Sequence, residues 1–138
     1  MKIELKRIGE PYHFELANQN GNTVHIDASP QIGGTEKGVR PMELLLMSLA
    51  GCISIDVINI LRKQRFSILD YRVSVDGDRE TGKDANLFTD IVINFFLKGD
   101  VEEDKLIRAI ELSLEKYCSV AKTLEKTANI SYKYNIES

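Results

Sequence analysis

Cysteine is scarce in this chain, with two among 138 residues. Two thiols cannot build the disulfide scaffold of a small secreted module. Glycine and proline are also few, nine and three respectively, which excludes a collagen-like or low-complexity chain. Basic charge is not in excess: 18 Lys and Arg stand against 21 Asp and Glu, a net charge of −3. A nucleic-acid binder needs a basic face to neutralise phosphates, so no nucleic-acid partner is expected. Long apolar runs are missing as well. The longest strongly apolar stretch, Leu44 to Ile55, is broken by Ser48 and Ser54 and is shorter than the ~20 residues of a bilayer span. No membrane partner is therefore expected. The first residues, MKIELKRIGE, have no apolar run behind their basic start, so a signal peptide is not expected either. The expectation is a cytoplasmic protein with both thiols reduced.

What is present is an ordinary globular composition, 43% apolar and 28% charged, in a chain long enough to bury a core as a single domain over 1–138. Period-two alternation predicts short strands around Ile3 and Leu5, around Tyr12, Phe14 and Leu16, and around Val24 and Ile26. Asn20-Gly21 between the last two is a hairpin signal. Ser29 to Gly38 holds three glycines but lacks the Gly-Lys-Ser/Thr of a phosphate loop, and reads as a loop only. Tyr71, Val73 and Val75 alternate again, and Leu87 to Leu97 is apolar on both alternations, as in a central strand. Asp100 and Glu103 have capping-box spacing for a helix to about Lys116, Cys118 opens a shorter helix, and Ile130 to Ile136 alternate as a last strand. Strands, a long helix, two strands, helices and a strand make an α+β domain.

The long helix begins at Pro41, a residue suited to the first helical position, and runs to about Gln64. At 1.5 Å per residue it would span roughly 36 Å. Its apolar residues cover nearly every direction, from Met42 and Leu44 through Ile53 and Ile55 to Ile60 and Leu61. A helix apolar all round must be buried all round. One small protomer offers too little cover, so a homodimer with this helix near its centre is expected.

Cys52 lies within the helix and Cys118 near the start of a later one, too far apart in sequence for a local CxxC motif. They read either as small buried hydrophobes or as a working thiol pair. Gly51 suggests that something packs tightly against the backbone beside Cys52. In the second reading a thiolate attacks a peroxide, and the sulfenic acid condenses with the other thiol. Ionising the attacking thiol takes nearby positive charge, for which Arg40 is the candidate. Asp56, four residues after Cys52, either tunes the thiol or meets a partner chain. His13 and His25 fall on the polar alternations and read as solvated. No spacing of cysteines and histidines resembles a zinc set, and no metal or other cofactor is expected.

The segments RPMELLLMSLAGCISIDVINIL and EKYCSVAKTLEK resemble the OsmC/Ohr family, and within it the YhfA-like branch. The likeness covers essentially the whole chain. It implies an OsmC-like fold, with antiparallel sheets around a long buried central helix in a domain-swapped homodimer and thiol pairs near the subunit interface. It also implies a thiol-dependent reductase of organic hydroperoxides, with Cys52 and Cys118 catalytic and an external dithiol as reductant. In the peroxidase branches a glutamate stands ten residues before the first cysteine, where this chain has Met42, with Glu43 one position on as a substitute orienter. Those branches also have Cys-Pro at the second motif, where this chain has Cys118-Ser119. The alternative is a non-peroxidatic binding module on the same fold, holding an apolar small molecule, with structural cysteines.

Overall fold

The structure, a computed structural model, describes residues 1–138. The chain divides into two compact units, Met1–Leu45 and Leu46–Ser138.

In the first unit, β1 (Glu4–Gly9), β2 (His13–Ala17) and β3 (Thr23–Ile26) form an antiparallel meander in that order. The Asn20-Gly21 turn forms where the sequence placed it. Gly21 takes a positive φ of 85°, and the Asn18 side chain accepts the N–H groups of Asn20 and Asn22. The loop after β3 is organised by one carboxylate. Asp27 is 1% exposed and accepts the N–H groups of Ala28, Thr35 and Lys37 and the Thr35 hydroxyl. These bonds, that from the Thr35 hydroxyl foremost, hold its carboxyl below the ordinary value despite burial. Glycine is required at Gly34, where a Cβ would lie 1.7 Å from the Ala28 carbonyl oxygen. The histidines are not solvated as expected: both are half-buried, and His13 Nε2 lies 2.8 Å from His25 Nδ1 across β2 and β3.

Helix α1 spans Pro41–Lys63. In the second unit it is followed by β4 (Ser67–Arg79), β5 (Phe88–Asp100), α2 (Glu103–Leu112), a π-helical turn (Ser113–Tyr117), α3 (Ser119–Leu124) and β6 (Asn129–Glu137). The sheet order is β4-β5-β6, so β5 is central, as its apolar run predicted. Antiparallel sheets were expected throughout. Here β4 and β5 are antiparallel, but β5 and β6 run parallel. The helical crossover through α2 and α3 explains this, because a chain returning over such a connection enters in the same direction. Asp100 does not cap α2: it is the last residue of β5, paired with Ser67, and Glu102 stands at the N-cap.

The core of the second unit joins Ile91, Ile93, Phe95 and Leu97 of β5, Leu106, Ala109 and Ile110 of α2, and Leu49, Ile53, Val57 and Leu61 of α1. The four α1 residues recur every fourth position and form one stripe. Gly77 of β4 lies under this helix, where a Cβ would meet Phe88 and Leu46 side-chain carbons at 2.7 and 3.1 Å. The Tyr71 hydroxyl donates to Ser54 Oγ at 2.9 Å, tying β4 to α1.

Within one chain α1 is therefore not buried all round. Ile55, opposite the stripe, is 72% exposed, and Met47 is 49% exposed. The close packing expected at Gly51 does not come from its own chain, where a Cβ would meet open space. The apolar run is longer than Leu44 to Ile55 suggested. By length and composition α1 could cross a membrane, with a mean hydropathy of 2.1 over its best window.

Candidate thiol site

Cys52 sits on α1 one position before the buried Ile53, and Asp56 is one turn further along the same face. Cys118 is the N-cap of α3. The π-helical turn continues α2 as far as Tyr117, and Cys118 then leaves helical backbone angles before α3 begins. Ser113 opens that turn, is fully buried, and its carbonyl accepts the Cys118 N–H at 2.7 Å. The result is a cluster in which the Cys52 sulfur, the Cys118 sulfur and an Asp56 carboxylate oxygen all lie within 4.8 Å of one another. Cys52 and Asp56 are half-buried, whereas Cys118 is fully buried. Both cysteines are free thiols.

Asp56, expected either to tune the thiol or to meet a partner chain, has a hydrogen-bond partner within its own chain. Its Oδ2 accepts the Ser113 hydroxyl at 2.7 Å. Neither Ser113 nor the π-helical turn was singled out from the sequence. A serine between Leu112 and Leu114 carries no signal of its own, although π-helical turns often mark functional sites once a backbone is visible.

The environment separates the two sulfurs chemically. Burial and the adjoining Cys52 thiol push the Cys118 thiol up to about 12. The nearby Asp56 charge acts in the same direction. One backbone N–H, from Ala121 at 3.4 Å, opposes this by donating to the Cys118 sulfur. Cys118 is thus held as a thiol at neutral pH, and Cys52 is the more exposed of the two sulfurs.

The other two candidate residues lie in the first unit. Glu43 is the third residue of α1, and its Oε1 accepts the Arg40 backbone N–H at 2.8 Å. This is one half of a capping box. Both side chains are exposed.

A model of the family described as OsmC-like protein matches residues 34–133. This chain belongs to that family. It is 41% identical over 102 residues to Protein YhfA of Escherichia coli strain K12, covering 73% of this chain and 75% of that one. The fold agrees with an OsmC-like protein from Mycoplasma pneumoniae at a TM-score of 0.83 and 18% identity, covering 99% of this chain and 96% of that one. It also agrees with the organic hydroperoxide resistance protein OsmC of Legionella pneumophila at a TM-score of 0.72 and 11% identity, over 100% and 98% of the two chains. The α+β OsmC-like fold expected from the two cysteine segments is thereby established.

Proposed function

We propose that this OsmC-family protein is a thiol-dependent reductase of organic hydroperoxides, acting in oxidative-stress defence. The observation that carries the reading is the approach of the Cys52 and Cys118 sulfurs to within 4.8 Å. Cys52, half-buried and reachable, is the attacking sulfur. Its thiolate takes the distal peroxide oxygen, the O–O bond breaks, and the alkoxide leaves as an alcohol after taking up a proton. The Cys52 sulfenic acid then condenses with the Cys118 thiol, forming a disulfide and releasing water. An external dithiol reduces the disulfide and is itself oxidised. Holding Cys118 as a thiol suits a resolving role, since the buried sulfur is kept from competing for peroxide. Arg40 enters as the activating cation on the electrostatic argument that a thiolate needs nearby positive charge, and Glu43 as a substitute for the family's orienting carboxylate, whose position Met42 occupies.

The proposal includes a domain-swapped homodimer in the cytoplasm. Its support is the apolar face of α1 around Ile55, which one chain leaves open. Permanent interfaces bury more than about 2,000 Å² in total. A folded monomer in sedimentation at micromolar concentration would remove the dimer.

Intact mass after one equivalent of an organic hydroperoxide tests the chemistry. The expected result is loss of both thiol hydrogens, abolished in Cys52→Ser and in Cys118→Ser. An unchanged thiol count would favour a binding module with structural cysteines.

A further inference from the structure

We infer that Cys52, Cys118 and Asp56 form a three-ligand binding site for a thiophilic divalent cation, with Zn²⁺ the best match. No CxxC or His-x-His spacing announces it, because the ligands come from the middle of α1 and from the N-cap of α3. Three features of the cluster carry the inference.

The first is distance. Three donor atoms within 4.8 Å of one another can all be reached from a single point within about 2.8 Å. Zinc bonds are about 2.3 Å to sulfur and 2.0–2.2 Å to a carboxylate oxygen. Each side chain therefore needs to close by about half an ångström, well within a small χ rotation. The second is donor type. Two sulfurs and one carboxylate suit zinc, whereas Mg²⁺ and Ca²⁺ take oxygen ligands. The third is the support behind the ligands. The Ser113 hydroxyl donates to Asp56 Oδ2 at 2.7 Å, leaving the other carboxylate oxygen for a cation. Hydrogen-bonded second partners of this kind orient ligating groups in metal sites. The Ala121 N–H donates to the Cys118 sulfur, which helps it to carry thiolate charge once its proton has gone. Half-burial of Cys52 and Asp56 leaves a way in.

On binding, each thiol gives up its proton to solvent, two Zn–S bonds and one Zn–O bond form, and no electron is transferred. Three protein ligands leave a fourth position open to water or to a small ligand. Metal and peroxide would compete for the same sulfurs. Zinc would cap the thiols in the resting protein, and the peroxide chemistry would belong to the metal-free form. The metal site uses the same sulfur pair but does not depend on the peroxide reading.

The test is titration of the reduced, metal-free protein with Co²⁺ and then Zn²⁺. The expected result is a thiolate-to-cobalt charge-transfer band that saturates at one Co²⁺ per chain and is bleached by Zn²⁺. Cys52→Ser and Cys118→Ser should each weaken or remove the band. Asp56→Asn should lower Zn²⁺ affinity in a chelator competition. Ser113→Ala, which keeps all three ligands, should weaken Zn²⁺ binding roughly tenfold. No charge-transfer band in wild type would overturn the site, as would affinity unchanged in both Asp56→Asn and Ser113→Ala. Disulfide formation by the metal-free protein with hydroperoxide is read separately by mass, so failure of the metal site and failure of the peroxide reading are distinguishable.

Discussion

The two three-stranded sheets of this chain are built from different materials. In Leu46–Ser138 the central strand β5 buries Ile91, Ile93 and Phe95 completely, and the apolar core extends into α1 and α2. In Met1–Leu45 no apolar side chain is buried, and Asp27 is the one residue that is. The first unit is held by backbone pairing, a carboxylate with four hydrogen bonds and glycines at close approaches. The second is held by packing, and it alone carries the thiol cluster. A sulfur pair that must meet within a few ångströms needs a scaffold whose side chains are locked by packing, and only the second unit supplies one.

The largest expected effect breaks the packed unit. Phe95→Ala should cost about 3–5 kcal/mol in urea unfolding, the usual range for a buried aromatic. Leu5→Ala, at a position 56% exposed, should cost less than about 0.5 kcal/mol. Equal losses would mean that something covers the first sheet, as a second copy of the chain lying against it would do.

A pH series separates the units next. Asp27 titrates below its ordinary value in the folded chain. Its contribution is complete above the unfolded value of 3.8 and is lost as pH falls through the folded one. The loop from Asp27 to Gly38 should therefore loosen in acid, read by proteolysis or hydrogen exchange, and Thr35→Val should move the loosening to higher pH. Cys118 behaves in the opposite way. Its folded value is raised from 9.0 to about 12, so the stability it contributes is complete below 9.0 and falls as pH rises towards 12. At neutral pH iodoacetamide should modify Cys52 and spare Cys118, as shown by peptide mass mapping. Cys118 modified as fast as Cys52 would contradict the division of roles between the sulfurs.

What could be read from the sequence divides along the same line. Alternation located the strands, because one face of each is apolar whatever covers it. The central position of β5 followed from its apolar run. The direction of β6 did not follow, since alternation is the same in parallel and antiparallel strands. The two cysteines were found through the motifs around them. The bond between Asp56 and Ser113 could not be foreseen, because the two lie 57 residues apart and no local pattern joins them. Gly51 was read as a sign of close packing, yet a single chain leaves it open. Composition can report that a helix is apolar all round, but not which chain covers each side.

The smallest expected effect falls at the start of α1, where stability and chemistry can be told apart. Glu43 accepts the backbone N–H of Arg40, not its guanidinium. Arg40→Ala therefore leaves the capping bond in place and removes only charge. Glu43→Ala removes the cap and should cost about 0.5 kcal/mol, while Glu43→Gln keeps an acceptor and should restore most of it. If the Arg40 guanidinium activates Cys52, Arg40→Ala should slow Cys52 alkylation at neutral pH with stability unchanged. A shift of one pKa unit corresponds to about 1.4 kcal/mol and gives a rate change of several-fold at a pH below the thiol's value. Arg62→Ala, which removes a cation from the last turn of the same helix, should leave alkylation unchanged. Equal rates in wild type and Arg40→Ala would confine Arg40 and Glu43 to capping the helix, and activation of Cys52 would then rest with groups of the second unit.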